Sequence, residues 1–98
     1  MELKDIQKII KEKYYEIDSK SGELFLLAVL FEEVGELAEA VRKKELKNIK
    51  EELVDVLFMV LSLANLFDLN LEDRLIEKYI RGDPSKCWDL PHDHDKNN

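Results

Sequence analysis

The chain has a single cysteine, Cys87, so no internal disulfide can form, and no charged-then-apolar leader is visible at its start. The expectation is a reducing, cytoplasmic setting. Histidine is almost missing: His92 and His94 stand near the C-terminus and none precedes them. That pattern disfavours zinc, and it denies the helices the Glu-x-x-His pairs of a ferritin-like di-iron site. An oxygen-rich 12-residue loop with a central glycine is also absent, so EF-hand calcium binding has no support. An excess of positive charge is lacking, with 15 Lys and Arg against 22 Asp and Glu, a net charge of -7 and a pI of about 4.8. Non-specific nucleic-acid binding, which needs a basic surface, is thereby disfavoured. Any phosphate-bearing ligand has to be drawn in by metal ions or by a local basic patch. Finally, the longest apolar run, over 53–67, is broken by Asp55, Ser62 and Asn65 and falls short of the ~20 residues a membrane span requires. No membrane partner is expected.

What is present is helical patterning. A chain of 98 residues, 45% of them hydrophobic, makes one domain that buries about two-thirds of its unfolded surface, so self-association would help it. Leu3, Ile6, Ile9, Ile10 and Tyr14 predict a first amphipathic helix over 1–15. A polar break over 18–22 offers Ser19 or Ser21 as the N-cap of a second helix over 23–43. After a short charged connection over 43–47, Asn48 and Glu51 have the spacing of a capping-box variant opening a third helix over 49–67, the most enclosed of the four. Asn70 with Asp73 caps a fourth over 71–80, which Gly82 and Asp83-Pro84 end. No strand pattern is visible. The prediction is an all-α, four-helix antiparallel bundle-like domain over 1–82 with a partly disordered tail over 83–98, in which Trp88 and Leu90 are possible packing anchors.

The feature that helical packing does not explain is a run of acids inside an apolar stripe. On a 3.6-residue period Glu33 falls among Leu26, Leu30, Leu37 and Ala40, with Glu36 beside it, whereas Glu32 and Glu39 point the other way. Helix three repeats the arrangement with Glu52 and Asp55. The short connection makes the two helices antiparallel neighbours, so the two pairs can converge. Four carboxylates meeting in a poorly solvated place raise one another's pKa unless a cation compensates them. Oxygen donors alone favour Mg²⁺, with Mn²⁺ as a substitute, and Mg²⁺ held by carboxylates keeps positions for water and substrate phosphates. Phosphoryl chemistry follows. Lys78 and Arg81, late in helix four, are candidates to meet phosphate, and Asn65 reads as a satisfied core amide.

Glu32-Glu33-Val34-Gly35-Glu36 followed by Glu51-Glu52-Leu53-Val54-Asp55 resembles the EExxE and ExxD signature of the MazG-like all-α nucleoside triphosphate pyrophosphohydrolases. The resemblance implies a four-helix, Mg²⁺-dependent enzyme that cleaves NTP or dNTP to the monophosphate and pyrophosphate, assembled as a homodimer or a dimer of dimers (homotetramer). It implies Glu33, Glu36, Glu52 and Asp55 as metal ligands, Glu32 as a supporting or water-activating carboxylate, and a phosphate contact at Lys78. A specialised relative, such as a dUTP or dCTP pyrophosphatase or a phosphoribosyl-ATP pyrophosphohydrolase, would share this metal constellation and differ in its base pocket. A competing class is a non-catalytic helical oligomerisation module, in which the acids only solubilise the surface.

Overall fold

The structure, a computed structural model, is described for residues 1–83. Cys87, Trp88, Leu90, His92 and His94, together with the expected tail, lie outside the described residues. Three long helices, α1 (Leu3–Ser21), α2 (Glu23–Lys43) and α3 (Leu46–Leu66), are followed by a short α4 (Leu71–Leu75) that continues as a wider π-type turn over Ile76–Arg81. The fold class is all-α, and among the described residues there is no strand.

Two helix boundaries differ from the sequence expectation, each for a local reason. α1 does not stop near Tyr15 but runs through the polar stretch to Ser21. Ser19 and Ser21 donate their hydroxyls to the carbonyls of Glu16 and Ile17, both at 3.0 Å, and so act inside α1 rather than as caps of α2. The break is one residue, Gly22, at φ +89° and ψ 158°. That region is essentially restricted to glycine, which lets the chain change direction between two helices without a loop. α3 begins at Leu46, three residues earlier than Asn48 and Glu51 suggest. Asn48 is already helical, and its Nδ2 donates to Glu45 Oε2 at 3.0 Å. The turn between α2 and α3 is therefore only Lys44 and Glu45, with Lys44 in the left-handed conformation at φ 56°. So tight a connection forces α2 and α3 side by side. Asn70 does cap α4, accepting from the Glu72 N–H at 3.0 Å.

α3 is the central element, packed on both α1 and α2. Its C-terminal half is sealed, with Leu61, Ser62, Ala64 and Asn65 buried, as is Leu26 of α2, whereas the buried Ala40 of α2 sits at the other end, beside the α2–α3 turn. Asn65 is the satisfied core amide its setting predicts. Its Nδ2 donates to Gln7 O at 3.1 Å, while Gln7 Nε2 donates to Asn65 Oδ1 at 3.0 Å and to Leu69 O. This buried exchange fixes the start of α1 against the end of α3, and an edge-to-face pair between Tyr14 and Phe58, centroids 5.0 Å apart, continues the contact. α1 and α3 thus run antiparallel. The N-terminal half of α3 is not enclosed: Leu53, Val54 and Leu57 remain 50–55% exposed. Enclosure is confined to the half of α3 that α1 and α2 cover together.

Candidate metal centre

The two-residue turn sets the register of α2 against α3, and that register brings three acids together. Glu33 and Glu36, one turn apart on α2, meet Glu52 on α3, and one carboxylate oxygen from each lies within 4.8 Å of the other two. Glu33 and Glu52 are half-buried and Glu36 is exposed, so the trio sits at the mouth of the interhelical seam. Two of its oxygens, Glu33 Oε2 and Glu52 Oε2, are sealed from solvent and have no hydrogen-bond partner among the described residues. A buried acceptor without a donor is costly. The consequence appears in the titration of Glu52: desolvation pushes its carboxyl up to about 7, with hydrogen-bonding reach to Glu33 and the charge of Glu36 adding to the rise.

A cluster of this kind asks for a cation. The donor set is all carboxylate, and the sealed oxygens point to an ion that would coordinate them, so the residues fit a hard divalent metal. Two of the trio, Glu36 and Glu52, also line a cleft of about 270 Å³. Its walls repeat on the three-, four- and seven-residue spacings of a helix face, with Glu36, Glu39, Ala40 and Lys43 from α2 opposite Glu45, Asn48 and Glu52.

The other sequence candidates are placed differently. Asp55 is exposed one turn beyond Glu52, and its carboxylate is not one of the three that meet. Glu32 is exposed on α2, as its helical position implies. Lys78 and Arg81 do not line the cleft. α4 follows the C-terminal end of α3, where Asn65 lies about 20 Å along the axis from Glu52 at 1.5 Å per residue. Lys78 lies instead over the Tyr79 ring, its Nζ 5.4 Å from the centroid. Lys43, which the sequence leaves in a charged connection, and Asn48, which it reads as the cap of helix three, line the cleft too and were not among the site residues expected. The signal was their spacing, since Lys43 stands two turns from Glu36 and Asn48 one turn from Glu52.

Residues 21–87 match the MazG nucleotide pyrophosphohydrolase domain, a span that covers all the acids of the trio. The chain belongs to the MazG family. It is also 33% identical over 93 aligned residues to the uncharacterized protein YpjD of Bacillus subtilis (strain 168), an alignment that covers 74% of this chain and 84% of that one. The EExxE run of this MazG domain supplies Glu33 and Glu36 from α2, and its ExxD run supplies Glu52 from α3. No helix among the described residues is long and apolar enough to cross a membrane.

Proposed function

We propose that this MazG-family chain is a Mg²⁺-dependent nucleoside triphosphate pyrophosphohydrolase that yields a nucleoside monophosphate and pyrophosphate. The observation that supports it is the convergence of Glu33, Glu36 and Glu52 with two sealed, unpartnered oxygens. Magnesium, or manganese in its place, supplies charge neutralisation of the phosphates and a lowered pKa for water. The chain's own residues do the rest. Glu33 and Glu52 present fixed oxygens from opposite helices, and Glu36 closes the third side. Asp55 on the next turn is the fourth carboxylate of the set, and Glu32, one turn before Glu36, is its exposed supporting acid. Water adds at the α-phosphorus, the α–β bridging bond breaks, pyrophosphate leaves and the released proton passes to solvent or a neighbouring carboxylate. Incubation with a panel of ribo- and deoxynucleoside triphosphates in Mg²⁺ should give monophosphate and pyrophosphate. Orthophosphate as the first product would overturn the proposed bond, and no turnover with no Mg²⁺ effect on thermal stability would favour the helical module.

We further propose that the working form is a homodimer or homotetramer. Phe31, Val34 and Val41 on α2 and Leu53, Val54 and Leu57 on α3 are all exposed, whereas the buried apolar core of the described residues is Leu26, Ala40, Leu61 and Ala64. Apolar surface on this scale, set against so small a core, is characteristic of an interface between copies. Light scattering of the purified chain should return at least twice the 11.5 kDa chain mass. A monomer at micromolar concentration would refute it.

A further inference from the structure

The cleft beside the carboxylate trio holds two hydrogen-bond donors, each resting on an acid. Lys43 Nζ lies 2.9 Å from Glu39 Oε1, and Asn48 Nδ2 donates to Glu45 Oε2 at 3.0 Å. Both pairs are exposed, with the Lys43 and Glu39 side chains 50% and 56% accessible, and exposed pairs hold their partners only weakly. Their donors can therefore turn to another anion at little cost. The other polar walls of the cleft are acidic, so a polyanion seated there through a divalent ion would meet repulsion wherever the ion's charge does not reach. Among the described residues, Lys43 is the one basic side chain on those walls. It projects from the last turn of α2, and its side chain leans back along the helix towards Glu36.

We propose that Lys43 and Asn48 bind the phosphate oxygens of a metal-held nucleoside polyphosphate, the role that sequence position assigns to Lys78 and Arg81. The inference rests on the reading of the trio as a metal–triphosphate site. Glu39 and Glu45 hold the two donors over the cleft until phosphate replaces them. Lys43 contributes a charge-assisted contact, and Asn48 an uncharged donor on the opposite wall. The competing role for Lys43 is structural: a cation in the last turn complements the helix dipole, and a Glu four residues before a Lys is a favourable surface pair. That role predicts a small change in stability and none in ligand affinity.

Titration calorimetry of the full chain separates the two, using Mg²⁺ alone and then inorganic tripolyphosphate in the presence of Mg²⁺. Lys43→Ala and Asn48→Ala should each bind Mg²⁺ as the wild type does, yet bind tripolyphosphate about fivefold or more weakly, the low end for charged contacts in an exposed site. Lys43→Arg should recover most of the affinity. Glu39→Gln, which removes the competing acid, should bind tripolyphosphate at least as tightly as the wild type. Undiminished tripolyphosphate affinity in Lys43→Ala, on a protein that binds Mg²⁺, would overturn this assignment and leave the metal site standing. Failure of the wild type to bind Mg²⁺ at all would overturn the metal site and this assignment with it.

Discussion

Glu52→Gln is expected to lower pyrophosphate release more than about 100-fold, because loss of an outer partner of a metal ligand alone typically costs 10- to 100-fold and Glu52 is a proposed ligand. The same substitution should abolish the Mg²⁺-induced rise in melting temperature. It should not destabilise the metal-free protein. Glu52 is the acid whose carboxylate the fold disfavours most clearly, pressed against Glu33 and Glu36 with one oxygen sealed. Glutamine keeps the shape, removes the like charge and offers an amide N–H to the unpartnered Glu33 Oε2. The metal-free variant should therefore melt at or above the wild type at pH 8. This opposition separates a ligand from a structural residue, since a damaged fold would lower both the activity and the metal-free melting temperature. A Glu52→Gln protein that still gained stability from Mg²⁺ as the wild type does would remove Glu52 from the site. Glu33→Gln should behave in the same way, because its Oε2 is the other sealed oxygen.

How much of this was legible in the sequence depends on whether the cause was local. The period of Leu26, Leu30, Leu37 and Ala40 reads directly as α2, whose bounds match the pattern, and the Asn70 cap declares the start of α4. The end of α1 was obscured because serines look alike whether they cap a new helix or bond back to an old one. Only the positive φ of Gly22 marks where the chain turns. Within the site, Glu33, Glu36 and Glu52 were legible because their helical period sets them on facing sides of two helices joined by a short connection. Their departure from apolar surroundings was the clue. The phosphate contacts proposed at Lys43 and Asn48 were not legible, for a physical reason. Whether Lys78 or Lys43 reaches the trio depends on how α4 is aimed after α3, and that is held by contacts distant in sequence, Gln7 Nε2 to Leu69 O and the Lys4 N–H to Glu72. Such long-range pairing has no periodic trace. The half-exposed Leu53, Val54 and Leu57 show the same limit from the other side, since an apolar period looks identical whether its own chain or another copy covers it.

The apparent Mg²⁺ affinity should fall about tenfold between pH 8 and pH 6, because binding must displace one proton from a group that titrates near 7. The sign follows from the direction of the shift. Glu52 has an ordinary value of 4.5 and is raised to about 7 in the fold, so between those values the folded chain holds a proton that the unfolded chain has released. Its contribution to stability is fully present below pH 4.5 and is lost as pH rises through 7. Without metal, this carboxyl makes the protein progressively less stable from about pH 5 to pH 8. With metal the order reverses at the site. Deprotonated Glu52 is the form that coordinates, and it is about one-tenth populated at pH 6 and about nine-tenths at pH 8 for a pKa of 7. Thermal melts across a Mg²⁺ titration at pH 6, 7 and 8 report both halves at once. The half-saturating Mg²⁺ concentration should be about tenfold higher at pH 6 than at pH 8. In Glu52→Gln any residual metal response should lose that slope, because the group that exchanges the proton is gone. Equal Mg²⁺ midpoints at pH 6 and pH 8 in the wild type would mean that the proton on Glu52 and the metal do not compete. Glu52 would then not be a ligand of the metal that stabilises the fold.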